Sequence, residues 1–527
     1  MTDRHLFFAR WGVYPLWLVL TVTVFFRAPI PIDETRYLSV AWEMWLRGDF
    51  LVPHLNGASY SHKPPLLFWL MQAGWAVFGV NDWWPRLVGP LAALANLVLL
   101  RRLAQALWPE RRGVAGLAPW ILISTLLWTL FASSTMFDVL LTDCVLLVLL
   151  GVLAAARGGG WQAWGLAGLG LGLGILAKGP VVLLHVLPTA VAVGFWADRR
   201  RPTYSNWSLG VIGAVLVGAA LALSWAIPAA QAGGEEYGRA ILWHQTADRA
   251  VGTKIHTRSP FWYLLFLPLF LLPWGYAPRF WRNLRAMRLG EDAGARFCLV
   301  WFGATFVVFS AVPSKQIHYL LPAMPAFALF AARVWDESGQ VRSRYTEMVI
   351  PGLLLAVGAF LLAMPTIPGL AKWSWVRALQ ADWGASVLLV AGGLGLWTWH
   401  RQRLSPFAAA AAVVLSVAIG FVCFFRDNGA AYDLSPTARQ VKNFADTGVP
   451  CVYVGNYQGQ LNFLGKLTRP LPVIPAERAK AWAAEHPDGY LVSLENQPPG
   501  GEFLVQGHRE YWLVVRHADR AGEIKAL

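Results

Sequence analysis

Apolar residues recur along this chain in runs of about 20, each long enough to cross a hydrocarbon layer as a helix. The pattern predicts about thirteen such spans, near residues 11–28, 84–104, 113–133, 136–156, 161–177, 179–197, 207–228, 260–278, 295–312, 319–335, 346–364, 384–400 and 406–425. Lys178-Gly179-Pro180 interrupts what is otherwise one continuous apolar stretch over 161–197. Between the first two spans, residues 34–82 are too polar to cross. Periodicity there predicts helices over 34–47 and 65–78, carrying Trp42, Trp45, Trp69 and Trp75, that lie in the membrane interface. Asn56-Gly57 marks a turn between them.

The pattern changes near Asp427. Residues 427–527 are polar enough to form a small soluble domain, and residues 1–426 form the membrane unit. Cys451–Val454 and Tyr511–Val515 read as strands, while Thr437–Ala445 and Gln458–Leu464 read as helices. The expected fold is a polytopic α-helical membrane protein with interfacial helices after the first span and a small C-terminal α/β domain.

Charge sets the expected orientation. The net charge of +14 comes from arginines in short gaps between apolar runs, such as Arg101-Arg102, Arg111-Arg112, Arg199-Arg200-Arg201 and the Arg279–Arg288 group. That placement speaks for topology and anionic lipid, not for nucleic acid. The arginine-dense loops belong inside. The longer loops, Asp33–Trp83, Gln231–Ser259, Pro313–His318 and Pro365–Trp383, belong outside. An odd number of spans then puts the N-terminus inside and the C-terminal domain outside. The first apolar run is too long for a cleaved signal and reads as a retained span. The four cysteines show neither zinc spacing nor a disulfide framework.

Polar groups distant in sequence fall on the outer side: Asp33-Glu34-Thr35-Arg36, Tyr60-Ser61-His62-Lys63, Asp138 with Asp143 deeper, Lys178, the stretch His244 to His256 with Arg249, and Ser314-Lys315 through His318-Tyr319. Singly, each has a bland explanation. Asp33-Glu34 or Asp138 could cap a helix, Arg36 and Lys63 could snorkel to head groups, and the histidines could be satisfied interfacial residues. Their convergence on one face is the stronger signal. Arg36, Lys63, Lys178, Arg249 and Lys315 are cations suited to a lipid phosphate. Asp33, at a span end where burial would raise its pKa, suits a general base that deprotonates an acceptor hydroxyl. No spacing demands a cofactor or metal, and a divalent metal stays open. A transporter or lipid flippase is the rival class, but such proteins usually show broken helices or related halves around midplane polar groups.

Taken together, Asp33-Glu34-Thr35-Arg36-Tyr37, Leu55-Asn56-Gly57, Tyr60, Lys63-Pro64-Pro65-Leu66, Asp138-Val139-Leu140-Leu141-Thr142, Ala177-Lys178-Gly179-Pro180, His244-Gln245 with Arg249, and Pro313-Ser314-Lys315 with Tyr319-Leu320-Leu321-Pro322 resemble a known family. They look like polytopic GT-C glycosyltransferases of the bacterial branch related to protein O-mannosyltransferases, and most like the aminoarabinose transferases that modify lipid A. The resemblance covers roughly residues 10–335. It implies about thirteen spans in a bacterial inner membrane with a cytoplasmic N-terminus, a C-terminal periplasmic domain, and a sugar donor carried on polyprenyl phosphate, with undecaprenyl phosphate as the expected form. It implies a lipid A-like, glycan or protein acceptor. It puts Asp33 and Asp138 in the two acidic catalytic positions. Glu34 completes the acidic pair as a substrate contact, and Arg36, Tyr60 and Lys63 fall around the lipid phosphate. Lys178, His244, Arg249 and Tyr319 match further polar positions of the cavity. The chain departs from the family at Gln245, where asparagine is common, and at Asp143, where an apolar residue is usual.

Overall fold

The computed structural model describes residues 3–197, 204–244, 257–337, 343–497, 504–508 and 510–524. Inside hydrocarbon every backbone polar group must bond within its own segment, and the apolar runs accordingly fold as helices. Eight helices among the described residues are long and apolar enough to cross a membrane: Phe7–Phe26, Trp83–Leu107, Phe137–Ala156, Asn206–Leu242, Ala293–Ala311, Ile317–Asp336, Val349–Thr366 and Pro406–Thr447. Shorter apolar helices, among them Arg112–Ile123 and Val181–Val191, accompany them. The Ile317–Asp336 and Phe137–Ala156 segments are 83% and 72% buried, against 22% for Asn206–Leu242, so the first two form the centre of the bundle.

Small residues set the spacing in this bundle. A Cβ on Gly151 would fall 2.6 Å from the Ala163 carbonyl, and one on Gly170 would fall 2.8 Å from the Val148 amide. Helix Gly160–Lys178 therefore packs backbone against backbone on Phe137–Ala156, as glycine allows between membrane helices. The two run in opposite directions across a short turn. The C-terminal Lys178 thus comes beside Asp138, at the start of its neighbour.

The interfacial segment folds as expected into helices Asp33–Arg47 and Leu66–Phe78. Between them, strands β1 (His54–Leu55) and β2 (Ala58–Ser59) pair antiparallel. The turn is Asn56-Gly57, with φ of 52° and 89°, the backbone that a two-residue hairpin of this sequence favours. Tyr37, Trp42, Phe68, Trp75 and Phe137 form a buried apolar cluster beneath the segment, and Phe463 from the C-terminal region completes it.

That region contains a five-stranded mixed sheet in the order β4-β3-β5-β7-β6, with β3 Cys451–Val454, β4 Val473–Ile474, β5 Tyr490–Glu495, β6 Leu504–His508 and β7 Tyr511–His517. β3 is parallel to β4 and β5, while β7 is antiparallel to β5 and β6. Helix Ser435–Thr447 covers one face. The helix expected over Gln458–Leu464 does not form; those residues make a turn-rich strap. Gly459 sits at φ 71°, and a Cβ there would lie 2.3 Å from Leu55. The strap's bonds go to the interfacial segment instead. The Phe463 amide donates to Ser39 Oγ, and Asn462 Nδ2 donates to Asn56 Oδ1.

Candidate active site

The acidic pair at the start of helix Asp33–Arg47 splits into two environments. Glu34 turns inward and is 3% exposed. Its Oε2 accepts from Arg27 Nη1 at 2.5 Å and from the Ile30 amide at 2.8 Å. Its Oε1 accepts from Arg27 Nη2 at 2.9 Å and from the Thr135 amide at 2.8 Å. Arg27 also donates to the Ser133 carbonyl. The pair clamps the end of the first span, the interfacial helix and the loop before Asp138. Burial alone would push the Glu34 carboxyl up. The Arg27 guanidinium and the two amides outweigh it and hold the group below its ordinary value. Every acceptor oxygen of Glu34 is thus engaged by protein, which is the geometry of a clamp and not of the substrate contact expected from sequence.

Asp33 faces outward, with its side chain 52% exposed. It is only half-covered, because the helix turns it away from the clamp. Arg36 Nη2 donates to Asp33 Oδ1 at 2.5 Å and Tyr37 Oη donates to the same oxygen at 3.2 Å. Burial, then the nearby Asp33 carboxylate, push the Tyr37 phenol well above its ordinary value, so it stays protonated as a donor. Burial would lower the Arg36 pKa, but Tyr60, Tyr37 and Asp33 together raise it. Tyr60 is buried beside His62 and Phe68, at ring separations of 5.3 and 6.4 Å.

Asp138 opens helix Phe137–Ala156 and is buried. It forms an ion pair with Lys178. His318 Nε2 lies 3.8 Å from its other oxygen. The Lys178 ammonium also sits over the Tyr319 ring at 4.6 Å. Lys63 lies over Phe137 at 5.2 Å, and its charge acts on Asp138. Asp33 lies within electrostatic reach of His318. The Tyr37 and Phe137 rings, 4.8 Å apart and edge to face, join the two halves of the site.

Some expected residues stand elsewhere. Lys315 is buried, and its ammonium donates to the carbonyls of Val312 and Arg258, where it braces the bridge between Thr257 and Ser314. It is corrected from a phosphate cation to a backbone brace. His244 ends the described part of its helix, while Arg249 and His256 lie outside the described residues. Asp143 accepts from Asn96 Nδ2 at 2.5 Å, deeper in the bundle. Among the described residues, no three His, Cys, Asp or Glu side chains cluster as metal ligands.

Sequence reasoning missed two participants, and it placed His318 on the outer side without assigning it a role. Arg27 carries no signal apart from its partner. Gln458, on the strap, accepts from Arg36 Nη1 at 3.1 Å and brings the C-terminal region to the site.

The site thus gathers a buried carboxylate–ammonium pair, an outward carboxylate and further cations on one face of a helical bundle, and the relatives of this chain place it among membrane glycosyltransferases of GT-C type. The family model described as dolichyl-phosphate-mannose-protein mannosyltransferase matches residues 62–225. An undecaprenyl phosphate-alpha-4-amino-4-deoxy-L-arabinose arabinosyl transferase of Pseudomonas fluorescens is 30% identical over 513 residues, which is 93% of this chain and 86% of the relative. The Pseudomonas aeruginosa enzyme of that name is 30% identical over 72% of this chain and 68% of its own length. The chain belongs to this family of bacterial aminoarabinose transferases, enzymes that draw their sugar from a lipid phosphate. Its fold is shared with the crystal structure of ArnT from Cupriavidus metallidurans bound to undecaprenyl phosphate, with a TM-score of 0.75 at 22% identity over 95% and 96% of the two chains. It is shared more distantly with the oligosaccharyltransferase AglB of Archaeoglobus fulgidus, at a TM-score of 0.50 and 12% identity over 88% and 65%. The transporter alternative finds no support among these relatives.

Proposed function

We propose that this protein transfers a sugar from undecaprenyl phosphate to a lipid A-like acceptor at the periplasmic face of the inner membrane. The observation that carries the proposal is the meeting of Asp33, Arg36, Tyr60 and Lys63 with the Asp138–Lys178 pair in one site, supported by the family's common donor. Asp33 is the base: it is outward and half-exposed, where an acceptor hydroxyl can reach it. The hydroxyl oxygen attacks the anomeric carbon and its proton passes to Asp33. The bond from that carbon to the phosphate oxygen breaks, and undecaprenyl phosphate leaves with the electron pair. Arg36 and Lys63 hold the phosphate and stabilise its growing charge. Asp138 acts through Lys178, fixing the ammonium over Tyr319 in the same site. About thirteen spans carry the chain from a cytoplasmic N-terminus to a periplasmic α/β domain. Gln458 gives that domain a role, since it holds Arg36 from above.

The test uses purified protein in lipid vesicles with a panel of undecaprenyl-phosphate sugars and with lipid A, glycan and protein acceptors. Mass spectrometry follows released undecaprenyl phosphate and the mass gain on each acceptor. Sugar-dependent release with a gain on lipid A is the expected result. A gain on glycan or protein alone would replace the acceptor, and lipid movement without release would replace the reaction.

A further inference from the structure

A second charged cluster lies far from this site. Helix Pro278–Ala286 buries Arg279, 4% exposed, against the Trp335 ring at 5.0 Å. Arg279 Nη1 stands 3.8 Å from Glu347 Oε2, and Arg282 Nη2 stands 3.9 Å from Glu347 Oε1. Both distances exceed a hydrogen bond. Glu347, 2% exposed, already accepts from the Leu404 amide at 3.0 Å. Nε and Nη1 of Arg279, Nε and Nη2 of Arg282, and Oε1 of Glu347 are buried with no hydrogen-bond partner among the described residues. Arg403, which is exposed, adds a third positive charge that acts on Arg279. Burial first, and then the Arg403 charge, push Arg279 down to about 10 against the pull of Glu347.

Two guanidiniums therefore stand beside one carboxylate, and Arg403, next to the Leu404 amide that Glu347 binds, adds a third positive charge nearby. Buried guanidinium N–H groups without acceptors are costly, and a ligand offering several anionic oxygens removes that cost. The forked donors of arginine match a phosphate. Position indicates the source. His318, beside Asp138, and Trp335, beside Arg279, mark the two ends of one helical segment, Ile317–Asp336. Seventeen residues of mixed 3₁₀ and α rise place them roughly 25–30 Å apart, on opposite membrane faces. Around the cluster, Trp281, Trp397 and Trp399 are exposed, with Arg401 over Trp397 at 5.1 Å and Arg344 over Trp399 at 3.9 Å. That is the composition of a head-group belt.

We propose that Arg279, Arg282 and Arg403, balanced by Glu347, bind the phosphate of an anionic lipid on the face opposite the catalytic residues. This site is independent of the sugar-transfer reading.

Native mass spectrometry and thermal unfolding of the full-length protein test it, with phosphatidylglycerol, phosphatidylcholine or inorganic phosphate added. Phosphatidylglycerol should be retained and should raise Tm, and phosphatidylcholine should do neither. The Arg282→Gln/Arg403→Gln variant, which spares the buried Arg279, should bind phosphatidylglycerol about tenfold more weakly, a change near 1.4 kcal/mol. Glu347→Gln removes the competing carboxylate and should bind it more tightly, a gain that a purely structural cluster would not give. Equal retention of both lipids, unchanged binding in the double variant, or full replacement of the lipid effect by inorganic phosphate would overturn the proposal.

Discussion

Two adjacent carboxylates, Asp33 and Glu34, do opposite things because the helix turns one to the surface and one into the clamp. Glu34→Gln should destabilise the protein by about 3 kcal/mol, since it leaves the Arg27 charge buried without its partner. The Glu34 carboxyl is held below its ordinary value of 4.5 in the fold. Its contribution is therefore complete above that value and is lost as pH falls through the lower folded value. Thermal unfolding across acid pH should show a steep loss in the parent that Glu34→Gln flattens. At the second pair, Lys178→Gln strands a buried Asp138. Turnover should fall by about 100-fold or more, and Tm should fall with it. Adding Asp138→Asn should recover Tm but not turnover, which separates the site from the scaffold. Sequence named both partners, because an aspartate at a span start and a lysine at a break in an apolar run are anomalous. It did not show that they meet, since that depends on glycines packing two helices. It misjudged Lys315 because the ammonium turns back onto carbonyls that only the fold places beside it.

The interfacial segment and its strap act as one element. Asn56 donates to the Leu471 carbonyl at 2.8 Å and accepts from the Leu471 amide at 2.8 Å and from Asn462 at 3.1 Å. Trp42 Nε1 donates to the Leu467 carbonyl at 2.9 Å. Asn56→Ala should loosen the strap by about 1–3 kcal/mol and, by releasing Gln458 from Arg36, should raise the KM for donor more than it lowers kcat. Gln458→Ala should reproduce the KM effect without the loss of stability. Lys466 lies over the Phe463 ring, and burial pushes its ammonium down to about 8 from an ordinary 10.5. The folded protein sheds this proton before the unfolded chain does, so stability should rise with pH between those values. Lys466→Met should remove that rise in unfolding curves. The two interfacial helices, the turn at Asn56-Gly57 and strands β3 and β7 were legible from periodicity and turn chemistry, while the hairpin that the turn closes was not. The strap was not: its apolar spacing mimics a helix, and its conformation is dictated by partners some 400 residues away.

The whole molecule arranges its chemistry by membrane face. The proposed catalytic groups gather at one end of the Phe137–Ala156 and Ile317–Asp336 segments, and arginines gather at the other. Single cysteines test the proposed orientation. Glu477→Cys should react with an impermeant maleimide added to intact spheroplasts, and Arg288→Cys should react only after lysis; the reverse pattern would invert the topology. The apolar runs made the membrane class plain, and arginine-rich loops suggested its orientation. The joining of the C-terminal strap to the candidate site was hidden, because it rests on a few polar contacts with no sequence signature. The most direct test of the central claim compares the parent and Asp33→Asn for release of undecaprenyl phosphate from a sugar donor in vesicles. The account predicts loss of release with unchanged Tm and unchanged donor binding, and release by Asp33→Asn at the parent's rate would contradict it.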